Sequence, residues 1–465
     1  MARQPATTSR RTGRLLLALM TRLHAYIGLL VAPFLLVAAL SGIAYVLTPS
    51  FEAWLYHGAL TGVQGGTAQP LALQVETAQQ ALNAAALPAA VRPAPYPGDT
   101  TRVMFAAPDL GPSEHRAIFV DPVTLAIKGD MTVYGTSGVL PLRTTIDLFH
   151  RQLLMGDAGR LYSELAASWL WVAAVAGLVL WLQRRRALRA QQGPTALRRR
   201  HATLGALAAL ALLFFSATGL TWSKWAGGNI AELRHAWGWS TPSVSTLLPE
   251  TLPQAHDGHV GHGEHDEHGH VQAPDADRLR LTDFDRALSA ARTAGIDAEL
   301  VQIEPPHGEG RAWRVAEIDR RWPTQVDQVA LHPQTMAIID RIDFATFPLA
   351  AKLTRWGIDL HMGVLFGLPN QLALATMATG LVVLVCWGYT MWWRRKRSTQ
   401  RRTQETLSEV FAALPGCARL GVMMSAVALG LALPVLGASL LVFVAVDLLR
   451  WRMRQRRTAA MTSDR

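Results

Sequence analysis

The sequence predicts a polytopic α-helical membrane protein with four repeat spans, a C-terminal helical hairpin and two small α+β extracytoplasmic domains. Three observations carry that reading: long uncharged apolar blocks, arginine-rich segments between them, and an internal repeat. The chain has 465 residues, half of them hydrophobic and 17% charged, with a formal net charge of +11. Soluble chains carry about a quarter charged residues, and intrinsic disorder requires low hydrophobicity, so neither class fits.

Tyr26–Leu47, Leu165–Gln183, His201–Ser223, Leu360–Trp393 and Leu420–Val446 hold no Asp, Glu, Lys or Arg over 22, 19, 23, 34 and 27 residues. A bilayer span takes about 20 apolar residues. Residues 1–22, 184–200, 394–410 and 450–465 together carry 24 basic and three acidic residues, so the remainder of the +11 chain is net −10. The positive-inside rule places these four segments in the cytoplasm. The positive charge is therefore a topology signal, and no nucleic-acid partner is needed to explain it.

The expected order follows from these positions. Residues 1–22 form a basic cytoplasmic N terminus and 23–47 the first span. Residues 48–145 form the first outside domain, and 146–183 an interfacial helix and the second span. A cytoplasmic loop at 184–200 leads to the third span, 201–223. Residues 224–350 form the second outside domain, and 351–393 an interfacial helix and the fourth span. A loop at 394–418 precedes a C-terminal hairpin at 419–449 and a cytoplasmic tail at 450–465. Pro434, at the centre of the last block, suggests two short helices, with one kinked span as the alternative. Both termini are then cytoplasmic. The first apolar run is too long for a signal-peptide core and no small-x-small cleavage site follows it, so it reads as a retained anchor. A bacterial inner membrane is the expected setting. Cys386 lies in a span and Cys417 near the cytoplasmic face, so no extracytoplasmic disulfide is expected.

The repeat is read by aligning the chain with itself. His24-Ala25-Tyr26-Ile27-Gly28 matches His201-Ala202-Thr203-Leu204-Gly205. Gly42 and Gly219 follow at equal distance, preceded by Ser41 and Thr218. A shift of 211 aligns Pro122 with Pro333, His150 with His361, Gly156 with Gly367, Gly177 with Gly388, Trp181 with Trp392 and Arg184 with Arg395. Each half is a span, an outside domain, a histidine and a second span, in the same direction. In each outside domain a helix on a small antiparallel sheet is expected. Helical patterns run over 71–86 and 281–294. Extended patterns cover 101–106, 116–120 and 124–127, and then 312–318, 325–331 and 335–339.

The four repeated histidines are the chemically informative residues. His24 and His201 stand at the cytoplasmic ends of spans one and three, and His150 and His361 just outside spans two and four. Neutral imidazole is an axial ligand for haem iron, and facing helices of a bundle are where such cofactors sit. Two pairs would place a haem at each membrane face. Gly28, Gly205 and Ala202 leave room near the inner pair. Interfacial snorkelling is the competing explanation for any single histidine. Repetition of all four at equivalent positions favours ligation.

These motifs, Arg22–Leu29, Leu148–Leu153, Arg199–Leu207 and Asp359–Val364, together with the span–domain–span plan, resemble the PepSY-associated transmembrane protein family over nearly the whole chain. Its members include bacterial inner-membrane reductases implicated in releasing iron from ferric siderophores. The resemblance implies two b-type haems held by histidines of the repeat spans. It also implies PepSY-like periplasmic domains and reduction of a ferric chelate, or another metal, at the outer face.

One tract stands outside the repeat. His256, His259, His262, His265, His268 and His270 fall within 15 residues, interspersed with Asp and Glu. Such composition suits Zn, Cu, Ni or Fe, with a solvated linker as the alternative. No GxxxxGK[ST], HExxH or GxSxG motif occurs, and no GxGxxG follows an extended run, so nucleotide and flavin chemistry would belong to another protein. The electron donor would be quinol or a cytoplasmic reductase. The rival reading is a non-enzymatic membrane protein serving metal binding, transport or protease regulation.

Overall fold

Pro33 has no N–H to give its helix, and the first apolar stretch breaks beside it. In the computed structural model, which describes residues 5–84, 86–135, 137–189, 196–249, 280–397 and 406–463, helix α1 (Pro5–Leu30) gives way at Val31 to α2 (Ala32–Leu55). Hydrogen bonds from Val31 to the Ile27 carbonyl and from Leu35 to the Val31 carbonyl carry the helix through the break. There follow α3 (His57–Leu60), α4 (Leu71–Leu82), β1 (Ala90–Arg92), β2 (Thr101–Phe105), β3 (Glu114–Val120), β4 (Ile127–Tyr134), α5 (Pro141–Gln152) and α6 (Gly156–Arg189). Then come α7 (Ala196–Thr221), α8 (Trp225–Ala236), α9 (Asp283–Thr293), β5 (Val301–Glu304), β6 (Trp313–Glu317), β7 (Gln328–Leu331) and β8 (Ile338–Ile342). The chain closes with α10 (Leu349–His361), α11 (Leu368–Arg397), α12 (Leu407–Ala412), α13 (Gly416–Ala432) and α14 (Pro434–Ser463).

Two units are distinguished, Met1–Val46 with Ile146–Gly238 and Gln371–Arg465, and Leu47–Thr145 with Trp239–Asn370. The first is helical. Its core joins Ile27, Val31 and Leu35 to Trp169, Leu170 and Ala174 of α6, Leu212 of α7, Leu381, Leu384 and Val385 of α11, and Leu436 of α14. Several polar groups inside it are paired, which offsets the cost of burying them. Glu164 is fully buried and accepts the N–H groups of Trp225 and Ala226, capping α8. Asp447 accepts the Tyr26 hydroxyl and the backbone and hydroxyl of Ser408.

Among the described residues six helices are long and apolar enough to cross a membrane: Arg11–Leu30, Ala32–Leu55, Gly156–Gln183, Ala196–Thr221, Leu368–Arg395 and Pro434–Gln455. The expected number was also six, but the membership differs. The first expected span is two helices here, because Pro33 interrupts it. The penultimate segment, α13, is shorter, at 17 residues. At Leu433 the backbone leaves helical conformation (φ −125°, ψ 84°). Gly430 and Gly437 meet across that break so closely that a Cβ on Gly437 would lie 2.7 Å from the Gly430 Cα.

The second unit holds one antiparallel sheet of eight strands, ordered β4-β3-β2-β1-β5-β6-β7-β8. This corrects the expectation of two separate small sheets. The two four-stranded halves join edge to edge where Val91 of β1 pairs with Ile303 of β5. Pairing removes two open edges that would otherwise invite association. Helices α4 and α9 lie on one face, burying Leu71, Val75 and Ala78, and Phe284, Ala287 and Ala291, against Val103, Ile118, Val315 and Val329. The Asp285 carboxylate of α9 accepts the Leu71 and Ala72 N–H groups at 2.7 and 2.9 Å, satisfying the N-terminus of α4.

Two extended segments expected at 124–127 and 335–339 are instead largely turns. Asp121 accepts the N–H groups of Val123 and Thr124, and Leu125 and Met336 adopt left-handed φ values of 61° and 57°. The strands begin only at Ile127 and Ile338. Strands β1 and β5 carried no recognised signal; each is three or four residues long.

Candidate functional site

His24 and His201 belong to the helical unit, on α1 and α7, and the fold brings them together. Their ring centroids are 6.4 Å apart, with the planes at 76°. Two imidazoles bound to opposite sides of one metal ion, each about 2 Å from it, have centroids separated by roughly 6 Å. Among the described residues no three His, Cys, Asp or Glu gather as a metal site. A pair of imidazoles alone matches a haem, whose macrocycle supplies the remaining ligands.

The surroundings of the pair repeat with the sequence. The His24 Nδ1 lies 3.1 Å from the Ala173 carbonyl of α6. With Nδ1 engaged, Nε2 is the nitrogen left for a metal, the usual second-sphere arrangement of a ligating histidine. Leu384 of α11 stands 211 residues after Ala173, and its carbonyl faces His201. The His201 Nδ1 itself is buried and makes no hydrogen bond of good geometry. Gly177 closes on His24: a Cβ there would lie 3.2 Å from the ring Cε1. Its repeat partner Gly388 stands against His201 in the same way, at 4.0 Å. Gly177 and Gly388 are therefore the repeat-aligned glycines that stand beside the two rings. Gly28 has nothing within 4 Å of its Cβ position and Gly205 meets only Leu384, at 3.8 Å, so a Cβ at either would not touch the rings.

His150 lies near the end of α5, an amphipathic helix that precedes a long apolar one. Its Nδ1 is 2.9 Å from Ser41 Oγ of α2, and a Cβ on Gly42 would meet its Cε1 at 3.4 Å. Burial pushes the His150 imidazole down from its ordinary range, which favours the neutral, ligating form. Ser41 and Gly42 had been noticed only as members of the repeat. Their role beside His150 is a tertiary contact across 109 residues. The turn after α5 has left-handed Leu153, Leu154 and Gly156 (φ 53°, 57° and 58°).

His361 belongs to the sheet unit and is the last residue of α10. Two positions earlier, Asp359 is fully buried and accepts Arg320 Nε at 2.6 Å, with Arg355 beside it at 3.4 Å. The turn after α10 has Gly363 and Gly367 at φ 74° and 58°, the second matching Gly156. His256, His259, His262, His265, His268 and His270 lie outside the described residues.

A sequence model of the family described as the PepSY-associated TM region matches residues 21–395. That stretch contains His24, His150, His201 and His361, all eight repeat-aligned glycines and the whole sheet. No curated protein matches the chain. With at least four fifths of the sequence inside the match, the chain is a multi-pass membrane protein that belongs to the PepSY-associated TM family.

Proposed function

We propose that this protein is an inner-membrane electron-transfer protein of the b-type di-haem kind, reducing a ferric chelate such as a siderophore, or another metal, outside the cytoplasm. The observation that supports the reading best is the His24–His201 pair, 6.4 Å apart on repeat-equivalent glycines. These two residues would hold one haem. His150 and His361 are assigned to a second on the strength of the sequence repeat. When bound, haem supplies one-electron exchange between ferric and ferrous iron.

The chain's own residues do the rest. Ala173 fixes the orientation of the His24 ring through Nδ1, and Ser41 does the same for His150. Ile27, Val31, Ala174, Leu384 and Val385 belong to the apolar core of the same helical unit. The arginine-rich segments would lie in the cytoplasm together with both termini. The sheet unit would then be the periplasmic part, its two halves corresponding to two PepSY-like domains. Four repeat spans and a closing hairpin would form the bundle. Electrons would come from quinol or a cytoplasmic reductase, and the histidine-rich tract would serve as a secondary site for Zn, Cu, Ni or Fe.

The reading is tested by stopped-flow absorbance. Protein reduced with dithionite, then freed of it, is mixed anaerobically with a ferric chelate. Rapid return of the oxidised spectrum, with ferrous iron trapped by a chromogenic chelator, is the expected result. A reduced spectrum unchanged by every ferric chelate offered would refute reductase function.

A further inference from the structure

Large apolar side chains stand exposed on the sheet unit where its chain enters the long helix α11. Trp322, in the loop between β6 and β7, is 57% exposed, and Phe366, in the turn before α11, is 51% exposed. On α10, Leu349 and Leu353 are 67% and 56% exposed. With Trp356 and Leu360 they stand at positions i, i+4, i+7 and i+11, a stripe along one face of the helix. Another side of α10 is tied to the unit: Ala351 and Asp359 are fully buried, and Asp359 accepts Arg320. A face that gathers large apolar groups in this way marks an interaction surface.

The loop is fastened to this face. The Trp322 N–H donates to the Leu365 carbonyl at 2.8 Å, just before the apolar stretch Leu368–Arg395 begins. The Trp322 ring centroid lies 5.6 Å from that of Trp356 and 6.1 Å from that of Phe366. The three rings join the loop, α10 and the head of α11 in one apolar surface.

The length of α11 sets the depth of that surface. Leu368–Arg395 has 28 residues, which at about 1.5 Å each rise about 42 Å. A bilayer with its headgroup layers is about 40–45 Å thick, so both ends of the stretch reach headgroups. Trp322 and Phe366, beside Leu368, stand near the same level, where the amphipathic ring of Trp is favoured. The repeat shows the feature a second time. Met155, the counterpart of Phe366 at the shift of 211, is 64% exposed immediately before the apolar stretch Gly156–Gln183.

We infer that Trp322, Phe366 and the α10 stripe form a membrane-docking face, seated at the headgroup–acyl boundary of the leaflet that Leu368 enters. Continuity with a helix that crosses the bilayer names the occupant as phospholipid, and apolar faces of this kind sink about 5–10 Å into that boundary. Trp322 belongs to the sheet's own loop, so lipid holds the sheet as well as the interfacial helix, and it fixes His361, the last residue of α10, at that level. The face rests on α11 crossing the bilayer and does not depend on the haem assignment.

Spin labelling of the full-length protein in phosphatidylcholine nanodiscs tests the face. Cys386 and Cys417 are exposed, so each label is placed in a chain with both replaced by alanine. A chain keeping Cys386, within α11, gives the hydrocarbon reference, and Arg116→Cys, at an exposed position of β3, the aqueous one. Power saturation compares collisions with oxygen, which partitions into lipid, and with a water-soluble nickel chelate. At Trp322→Cys and Leu353→Cys the ratio of oxygen to nickel collisions is expected to lie between the two references, clearly above that of Arg116→Cys. Should Trp322→Cys fail to fold, Leu349→Cys and Leu353→Cys decide the matter, because their exposed side chains have little packing to lose. A ratio equal to that of Arg116→Cys at the α10 positions would put the face in water and overturn the proposal. Low access to both reagents would mean that protein covers the face, and would overturn it equally.

Discussion

Replacing His201 with Leu is expected to remove about half of the bound haem while leaving the remaining spectrum b-type. His24→Leu should do the same, and the double variant should lose no more than either single one. That non-additivity distinguishes a shared ligand pair from two independent sites. The expectation rests on the 6.4 Å ring separation and on the two repeat-equivalent glycines behind the rings. It extends to Gly177. A Cβ there already presses within 3.2 Å of His24 Cε1, and the branched side chain of Gly177→Val would push the ring from its place against the Ala173 carbonyl. Haem content of purified protein, measured as the pyridine haemochrome, checks all four variants. Full haem in His201→Leu would remove His201 from the site.

The second large effect is on stability. In Gly159→Ala the new methyl would be driven into the backbone carbonyl of Gln152, well inside van der Waals contact. A carbonyl in a hydrogen-bonded turn cannot rotate away as a side chain can; it already accepts the Met155 N–H at 2.9 Å. Overpacking of this kind costs about 1–3 kcal/mol, and more where backbone must move. The affected corner joins α5 to α6 and seats His150 two residues before Gln152. Gly159→Ala should therefore lower both the melting temperature and the haem content. Gly28→Ala is the matched control. Nothing lies within 4 Å of its Cβ position, and alanine within a helix is favoured over glycine by about 0.5–1 kcal/mol. It should be neutral or slightly stabilising. Equal melting temperatures for Gly159→Ala and wild type, by differential scanning fluorimetry, would contradict the packing described.

The parts of the structure legible from sequence are those governed by local pattern. Uncharged blocks long enough to span a bilayer became helical, the first and last of them broken at Val31 and Leu433, and the helices over Leu71–Leu82 and Asp283–Thr293 lie within their amphipathic windows. The histidines were visible because they recur. What remained hidden depends on distant contacts. Strand β1 is three residues between Pro88 and Pro93, too short for alternation to register, and it becomes a strand by pairing with β2 and β5. The union of the two half-sheets rests on Val91 meeting Ile303, 212 residues away. The glycines that shape the histidine pair, Gly177 and Gly388, were aligned by the repeat, yet their neighbours could be read only once α1, α6, α7 and α11 were packed. Gly28 and Gly205, close to the histidines in sequence, have no ring atom within 4 Å of their Cβ positions.

The measurement that bears most directly on the central claim is the absorbance spectrum of the wild-type protein, purified from cells supplied with ample haem and recorded oxidised and dithionite-reduced. Two b-type haems per chain, both reducible, are the predicted result. A protein that is folded and intact yet carries no haem absorbance would contradict it.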